Sequence, residues 1–282
     1  MIELGKVNAL TVLSRRDNQY YLDGDEWGEI ALADTQPVID LPAGTKVEAF
    51  VYIDGKGQTV ATLQMPLAQA GEVAWLKCVS LSHAGAFLDW GLPKDLLLPF
   101  SEQKGKVSEG RSYLVRLFLD EDNRIAASMV LDDFIQDQAF YYKEGQAVQL
   151  VIAEHTELGF KAVVDNQYWG VLYKNEVFQP LKKGQKLTGY IKKIRPDHKL
   201  DLILSQEKYG QKVDATSAKI LDILARRGGY IALTDKSDPG LIYDTFAVSK
   251  KVFKQAIGGL YKQRRIAIEQ DGIRLLEHAL AK

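Results

Sequence analysis

The chain has 282 residues, of which 46% are hydrophobic and 26% are charged, and its formal net charge is −1. This is the composition of an ordinary soluble globular protein. No apolar run approaches the ~20 residues of a membrane-spanning helix, and the N-terminal residues lack the basic and then apolar layout of a signal peptide. A single cysteine, Cys78, excludes an internal disulfide and a cysteine-based zinc site. We expect a cytoplasmic protein with no membrane partner.

The net charge changes sign along the chain. Residues 1–66 carry −5 and residues 67–144 carry −4, whereas residues 145–207 carry +2 and residues 208–282 carry +6. A polyanion is therefore expected to be attracted to the C-terminal half and repelled from the N-terminal half. The alternative is that the charges only keep each surface solvated.

Three pairs of glycines recur at one interval. Both members of each pair open an apolar alternating segment, and each pair is 39 residues apart: Gly5 and Gly44, Gly71 and Gly110, Gly145 and Gly184. The first glycines of successive pairs lie 66 and then 74 residues apart, which exceeds the ~20–50 residues of solenoid repeats. Each copy is therefore long enough to be a small domain. A row of small β-modules is typical of a protein that binds a long ligand.

Alternation of apolar residues predicts five short strands in each copy. In the first copy they cover residues 7–13, 19–22, 28–32, 46–52 and 59–63. In the second they cover 73–79, 85–89, 96–99, 112–119 and 124–128, and in the third 147–152, 160–164, 168–173, 186–192 and 199–205. Five strands with a longer link between the third and fourth indicate a small Greek-key barrel. For the polar and aromatic stretch 132–143, a helix is one interpretation.

The apolar period changes near residue 214. The spacing over residues 217–227 predicts a helix that ends at a pair of glycines. A short strand follows, then a second helix that begins at Asp238, with proline at its first position, and a third helix capped by Ser249. Residues 265–276 predict a closing hairpin. Helix, strand, helix, helix and hairpin is the order of a winged helix.

The second and third copies resemble the S1 RNA-binding domain, a barrel of the oligonucleotide-binding fold. The residues that carry the resemblance are Gly85-Ala86-Phe87 and Leu98-Pro99-Phe100-Ser101-Glu102 in the second copy, and Gly159-Phe160 and Gly170-Val171-Leu172-Tyr173 in the third. The first copy resembles it mainly in spacing. With the third-helix sequence 249–262, the whole layout resembles the conserved virulence factor B family of bacterial RNA-binding regulators.

The resemblance implies a mainly β fold with an α+β C-terminal module, in which three tandem S1-like five-stranded barrels precede a winged helix. The expected domains are a degenerate, acidic S1-like domain at 1–66, S1-like domains at 67–142 and 143–209, and a winged helix at 213–282.

The resemblance to S1 domains implies that single-stranded RNA binds on the outer face of the second and third strands, through aromatic residues there and a basic residue near the fifth strand. The candidate residues in the barrels are Phe87 and Arg124 in the second copy, and Phe160, Tyr173, Tyr190, Lys192, Lys193, Arg195 and Lys199 in the third. Pro99 stands where the family often has histidine, and Tyr21 in the first copy has little basic support. Phe160 has the alternative interpretation of a barrel-core residue.

The winged helix supplies a second set of candidates, which are all basic: Lys250, Lys251, Lys254, Arg264, Arg265 and Arg274. Stacking of a base on an exposed ring contributes ~1–3 kcal/mol, and lysines beside it neutralise phosphates. The alternative for the basic third helix is a solvated face.

No catalytic constellation is evident, since the four histidines are scattered without metal-ligand spacing. We expect a non-catalytic RNA-binding protein, monomeric and without a cofactor or metal, that regulates gene expression after transcription and, by the family resemblance, affects virulence. A DNA-binding transcription regulator that reads a duplex through the third helix is one alternative. A protein–protein assembly module is the other.

Overall fold

The computed structural model describes residues 1–33, 40–177, 179–205 and 209–276, with the side chains of 209–212 outside that description. Within these ranges the chain forms three five-stranded barrels, followed by three helices and a three-stranded sheet. No helix in the described ranges is long and apolar enough to cross a membrane. Residues 277–282, which include His278 and the end of the predicted winged helix, lie outside the described residues.

Each barrel uses five consecutive strands. Barrel 1 comprises β1 (Lys6–Arg16), β2 (Gln19–Asp23), β3 (Glu29–Leu32), β4 (Lys46–Ile53) and β5 (Thr59–Thr62). Barrel 2 comprises β6 (Val73–Ser82), β7 (Gly85–Asp89), β8 (Leu96–Pro99), β9 (Ser112–Leu119) and β10 (Ile125–Ser128). Barrel 3 comprises β11 (Ala147–Thr156), β12 (Gly159–Val164), β13 (Tyr168–Tyr173), β14 (Lys186–Ile194) and β15 (Leu200–Ile203).

The strand order within every barrel is first, second, third, fifth, fourth, with the first strand also paired to the fourth. Barrels 1 and 3 are closed by a parallel ladder between their third and fifth strands. In barrel 2 the corresponding strands, β8 and β10, lie in contact without forming a ladder, so this barrel is nearly closed. The predicted five-stranded Greek-key barrels are confirmed.

The six repeat glycines frame one strand pair in each barrel, which explains their common interval. All six have φ between 71° and 90°, a left-handed conformation that costs glycine little and strains other residues. One glycine of each pair precedes the first strand and the other precedes the fourth. In barrel 3 the Gly145 amide donates to the Ile191 carbonyl and the Gly184 amide to the Ile152 carbonyl, both at 2.7 Å. The same pair of hydrogen bonds recurs in barrels 1 and 2.

Every barrel has an apolar core formed by the inward residues of its alternating strands. Barrel 1 also contributes to the core of barrel 2, because Phe50 on β4 packs edge to face against Trp90 with ring centroids 5.6 Å apart. The first two barrels therefore share buried surface and do not behave as isolated units.

Barrels 2 and 3 meet at a second apolar cluster. Val73 and Leu114 of barrel 2 pack against Val163 and Trp169 of barrel 3, with the segment 131–135 between them. This segment contains only a single 3-10 turn at its start, so the helix considered for 132–143 is not formed. A long helix would not follow the outer surface of barrel 3 as the extended chain does.

Polar contacts at the same junction centre on Asn166, in the turn between β12 and β13. Its side-chain Oδ1 accepts from the Val73 amide at 2.9 Å, and its carbonyl accepts from the Arg116 guanidinium. Burial lowers the pKa of Arg116, whose guanidinium also lies 5.7 Å from the Phe134 ring. These contacts fix the two barrels against each other.

The C-terminal module is a winged helix. Its elements are α1 (Tyr209–Arg226), β16 (Tyr230–Ile231), α2 (Pro239–Phe246), α3 (Lys250–Lys262), β17 (Ile266–Ile268) and β18 (Ile273–Leu275). The predicted caps are confirmed, since Asp238 accepts from the amides of residues 240 and 241, and Ser249 accepts from the Val252 amide. The start of α1 lies before residue 213, where the domain was expected to begin.

Candidate nucleic-acid interface

Strand register shows which outer-face positions of the barrels correspond. Gly85 and Gly159 open the second strand of their barrels with φ of 147° and 146°. They pair with Pro99 and Tyr173 on the neighbouring third strands. Counting from these glycines, Phe87 corresponds to Lys161, which makes Lys161 the outward residue of β12.

Phe160 therefore corresponds to the inward Ala86 and not to Phe87. It is half-buried and packs against the core of barrel 3 together with Ala162 and Val164. Its ring also lies edge to face against His155, with centroids 5.0 Å apart. This corrects the assignment of Phe160 to an outward position, because a shift of one residue along a strand moves a side chain to the other face.

The outer face of β12 and β13 is open at one end only. At the other end Val163 pairs in register with Trp169, and both side chains are buried in the junction with barrel 2. In the next rows Lys161 pairs with Val171 and Gly159 pairs with Tyr173, and the side chains of Lys161, Val171 and Tyr173 are half-buried. Barrel 3 thus offers a shorter strand face than a free barrel of the same fold.

Tyr173 lies at the open end within a polar network. The Arg195 guanidinium donates to the Tyr173 hydroxyl at 2.5 Å and to the Asp201 carboxylate at 2.7 Å, and the hydroxyl donates to Asp201 at 3.3 Å. The hydrogen bond to Asp201 raises the pKa of Arg195. The network fixes the ring of Tyr173 while the guanidinium remains charged, an arrangement suited to a base on the ring and a phosphate beside it.

The other basic candidates of barrel 3 are exposed, and two have acidic neighbours. Lys192 forms an ion pair with Glu176, and Lys199 forms one with Asp137 at 3.5 Å. Lys193 is exposed on β14. Tyr190 precedes these lysines on the same strand and is half-buried.

The segment that joins barrels 2 and 3 supplies further acidic groups. Asp132 contacts the Lys104 ammonium at 3.0 Å and the Lys161 ammonium at 3.4 Å. Hydrogen bonding to Lys104 and the charge of Lys161 hold the pKa of Asp132 below its usual value. The Lys161 ammonium also lies 3.7 Å from the Trp169 ring centroid. Contacts with Asp132 and Trp169 thus hold Lys161 toward the junction with barrel 2, where the outer face of β12 and β13 is closed.

The candidates in the first two barrels are less favourable for an anionic ligand. Phe87 is half-buried on the outer side of β7, whereas Arg124 lies in a turn whose Asp120 carboxylate accepts from the Arg124 amide at 2.8 Å. In barrel 1 the Arg16 guanidinium lies 4.0 Å from the Tyr21 ring centroid. The sequence did not indicate Arg16 beside Tyr21, because Arg16 is on the strand that pairs with β2, but its guanidinium is already paired with the Glu29 carboxylate.

The basic residues of the winged helix form two groups. Lys250 and Lys254 both point toward the loop before α2, where they contact the Ser237 carbonyl at 2.9 Å and the Asp235 carboxylate at 3.1 Å. Arg264 and Arg265 follow α3, and Arg274 is in the hairpin. Arg274 pairs with Glu269 at 2.6 Å and lies 5.0 Å from the Tyr230 ring.

Lys251 lies apart from both groups, in a cleft of about 740 Å³ between barrel 3 and the winged helix. Lys192 of barrel 3 and Lys219 of α1 also line this cleft. A hydrogen bond of 2.8 Å from the Tyr243 hydroxyl to the Gln179 side chain joins the two walls. The sequence predicted Lys192 and Lys251 as separate candidates. It did not indicate that they lie close together, and it did not indicate Lys219 at all.

Two family models match this chain. An S1 domain model covers residues 4–64, and a model described as a CvfB-like winged helix domain covers residues 218–275. The S1 match lies on barrel 1, the copy whose sequence pattern is the most degenerate.

Curated relatives match over nearly the full length. Conserved virulence factor B of Staphylococcus saprophyticus is 26% identical over 97% of this chain and 95% of that protein. The Staphylococcus aureus protein of the same name is 27% identical over 96% and 94%. The resemblance to the conserved virulence factor B family is therefore confirmed. An uncharacterized protein of Bacillus subtilis, YitL, is 26% identical over 93% and 90%.

Among solved structures, a multidomain protein with nucleic acid binding domains from Streptococcus pneumoniae matches 97% of this chain and 98% of its own, at 24% identity and a TM-score of 0.41. The S1 and winged-helix domains of the conserved virulence factor B layout are modules that bind nucleic acids. The domain content thus supports nucleic-acid binding as the general activity of this chain.

Proposed function

We propose that this protein is a non-catalytic RNA-binding regulator that engages single-stranded RNA through barrel 3 and the winged helix. The observation that carries the proposal is the cleft in which Lys192, Lys219 and Lys251 converge from three different elements. This cleft lies in the half of the chain with net positive charge, whereas barrels 1 and 2 are net negative. A polyanion is attracted to the positive C-terminal half and repelled by the negative N-terminal half.

Single strands suit the site better than a duplex because of the form of barrel 3. Its open outer face presents Tyr173, held by Arg195, at the rim of a barrel of the oligonucleotide-binding fold. Such barrels bind unpaired bases on rings and track the backbone with cations. We place the protein in the cytoplasm and its action after transcription, in line with the regulators that its layout resembles.

The proposal is tested by binding of a fluorescein-labelled 12-nucleotide oligouridine to the full chain, measured by anisotropy at 50 and 200 mM salt. We expect saturable binding that weakens by about 2.6-fold per neutralised phosphate over this fourfold change in salt. Absence of binding at the lower salt concentration would refute the proposal.

A duplex DNA ligand is the competing proposal, and one observation favours it. Gln255 and Lys262, seven residues apart, lie on the same exposed side of α3, which suits insertion into a groove. Competition of the bound oligouridine by unlabelled single-stranded RNA and by duplex DNA separates the two ligands. A preference for duplex above tenfold would replace the RNA proposal by a DNA-binding one. An assembly module would show no salt-dependent affinity for either.

A further inference from the structure

Two adjacent aromatic side chains before barrel 3 are exposed to solvent. Phe140 is 59% exposed and Tyr141 is 88% exposed. In the part of the chain that the structure describes, Tyr141 is the most exposed aromatic residue. An isolated exposed apolar residue is ordinary. Two neighbouring aromatic rings that pack against no core indicate a surface that contacts something else.

The backbone on both sides of these rings is fixed to barrel 3. The Ala139 amide donates to the His198 carbonyl at 3.0 Å, and the Ala139 side chain is buried in the barrel core. On the other side the Tyr142 hydroxyl donates to the Asp165 carboxylate at 2.9 Å. Burial raises the pKa of Tyr142 above its ordinary value. Because the segment is already ordered, a ligand that stacks here does not have to order it.

The position of the rings relates them to the RNA face. The Phe140 ring lies 4.4 Å from the His198 ring, at an interplanar angle of 42°. His198 is in the turn between β14 and β15, which is closed by a hydrogen bond of 2.9 Å from the Arg195 amide to the Lys199 carbonyl. In barrels of this fold the turn between the fourth and fifth strands borders the oligonucleotide face. Arg195, which holds Tyr173, thus begins the turn on which Phe140 rests.

We propose that Phe140 and Tyr141 form a stacking platform for unpaired nucleobases, which extends the path of a single strand from Tyr173 past the β14–β15 turn. The inference rests on the proposed function and adds a site to it. The occupant is a single-stranded nucleic acid because flat rings bind bases of any identity. Two rings are too small a surface for a stable protein partner, whose interface takes roughly 800 Å² on each side.

The charges around the platform are not net positive, which gives the inference a distinct signature. Lys143 and Lys199 are outnumbered by Asp137, Glu144 and Asp197, and the Lys199 ammonium already lies 3.5 Å from Asp137. Binding at the platform therefore depends on stacking and not on neutralised phosphates. Loss of the rings is expected to lower affinity while the dependence of log affinity on log salt keeps its slope.

The test uses the full chain with Phe140→Ala and Tyr141→Ala combined, and the oligouridine 12-mer as probe. We expect affinity at least about 10-fold weaker, since loss of one stacked base costs about 5- to 150-fold, with an unchanged salt slope. Trp27→Ala, which removes a 43% exposed aromatic from barrel 1, is the matched control and should keep wild-type affinity. Tyr141→Ala alone removes a side chain with almost no packing and should still weaken binding about fivefold.

An abasic RNA of the same length separates stacking from other effects. With this probe the wild-type protein and the double variant are expected to bind equally. The platform is refuted if wild-type protein binds oligouridine and the double variant binds within twofold of it, an outcome that leaves the proposed function standing. A change in self-association of the double variant with unchanged RNA affinity would likewise refute it and assign the rings to a contact between copies. Wild-type protein that binds no RNA would refute the proposed function itself.

Discussion

The contact between barrels 2 and 3 can be tested at Gly184, one of the six repeat glycines. A Cβ added there would lie 2.4 Å from both Cβ and Cγ of Trp75 on β6, at a backbone φ of +80°. Its counterpart in barrel 2, Gly110, has nearly the same φ of +78°, but a Cβ there would meet nothing within 4 Å. The two glycines thus differ in their surroundings and hardly in their backbone conformation.

This comparison separates two costs of a Gly→Ala substitution. The left-handed conformation alone costs ~1–2 kcal/mol for alanine, and Gly110→Ala should lose this amount. Gly184→Ala should lose a further ~1–3 kcal/mol, the usual cost of forcing extra atoms into packed surroundings. In a Trp75→Ala background the further cost is expected to become smaller, because the obstructing ring is gone and only the Cβ of residue 75 remains beside the added Cβ.

Calorimetry of the full chain is the suitable assay, since several domains need not unfold in one transition. The midpoint temperature of the transition that contains barrels 2 and 3 should be at least ~3 °C lower for Gly184→Ala than for Gly110→Ala. Equal effects of the two substitutions, or a Trp75→Ala background that changes nothing, would contradict the packing of Trp75 on Gly184 and with it the fixed junction.

Three other predictions concern single groups. Gly258→Ala and Gly259→Ala should each stabilise α3 by about 0.5–1 kcal/mol in calorimetry, because a Cβ at either position meets nothing within 4 Å. Burial raises the pKa of the Cys78 thiol, so at pH 8 a thiol reagent should label native protein at least ~10-fold more slowly than unfolded protein; equal rates would contradict the buried position. Tyr173→Phe keeps the ring and should bind oligouridine within about twofold of wild type, whereas Tyr173→Ala should bind about fivefold or more weakly. Equal loss in both variants would assign the effect to the hydroxyl network.

Much of the fold is predictable from sequence because it depends on local rules. Alternation of apolar and polar residues predicts the strands, and the capping residues Asp238 and Ser249 predict where two helices begin. The repeat glycines mark the positions of positive φ before the paired strands. The outward placement of Phe160 was wrong and its barrel-core alternative holds, because Phe160 follows Gly159 by one residue whereas the outward Phe87 follows Gly85 by two. Only the ladder register reveals the shift.

The sequence could not show which residues of the site remain accessible to a ligand, because their accessibility depends on contacts between segments that are distant in the chain. Trp169 is buried by residues of barrel 2 and of the connecting segment, and nothing in its own strand indicates this. Likewise the carboxylates of Asp132 and Asp137 reach lysines roughly 30 and 60 positions further along the chain. The meeting of Lys192 with Lys251 in one cleft depends on how the winged helix lies against barrel 3.

The central claim is that single-stranded RNA lies in the cleft between barrel 3 and the winged helix. Its most direct test is the salt dependence of oligouridine affinity for Lys192→Ala/Lys251→Ala, with Lys46→Ala/Lys56→Ala in barrel 1 as the charge-matched control. The slope of log affinity against log salt should become shallower by about 1.4, or about 0.7 for each lost phosphate contact, while the control keeps the wild-type slope. An equal slope in both variants and wild type would contradict the claim.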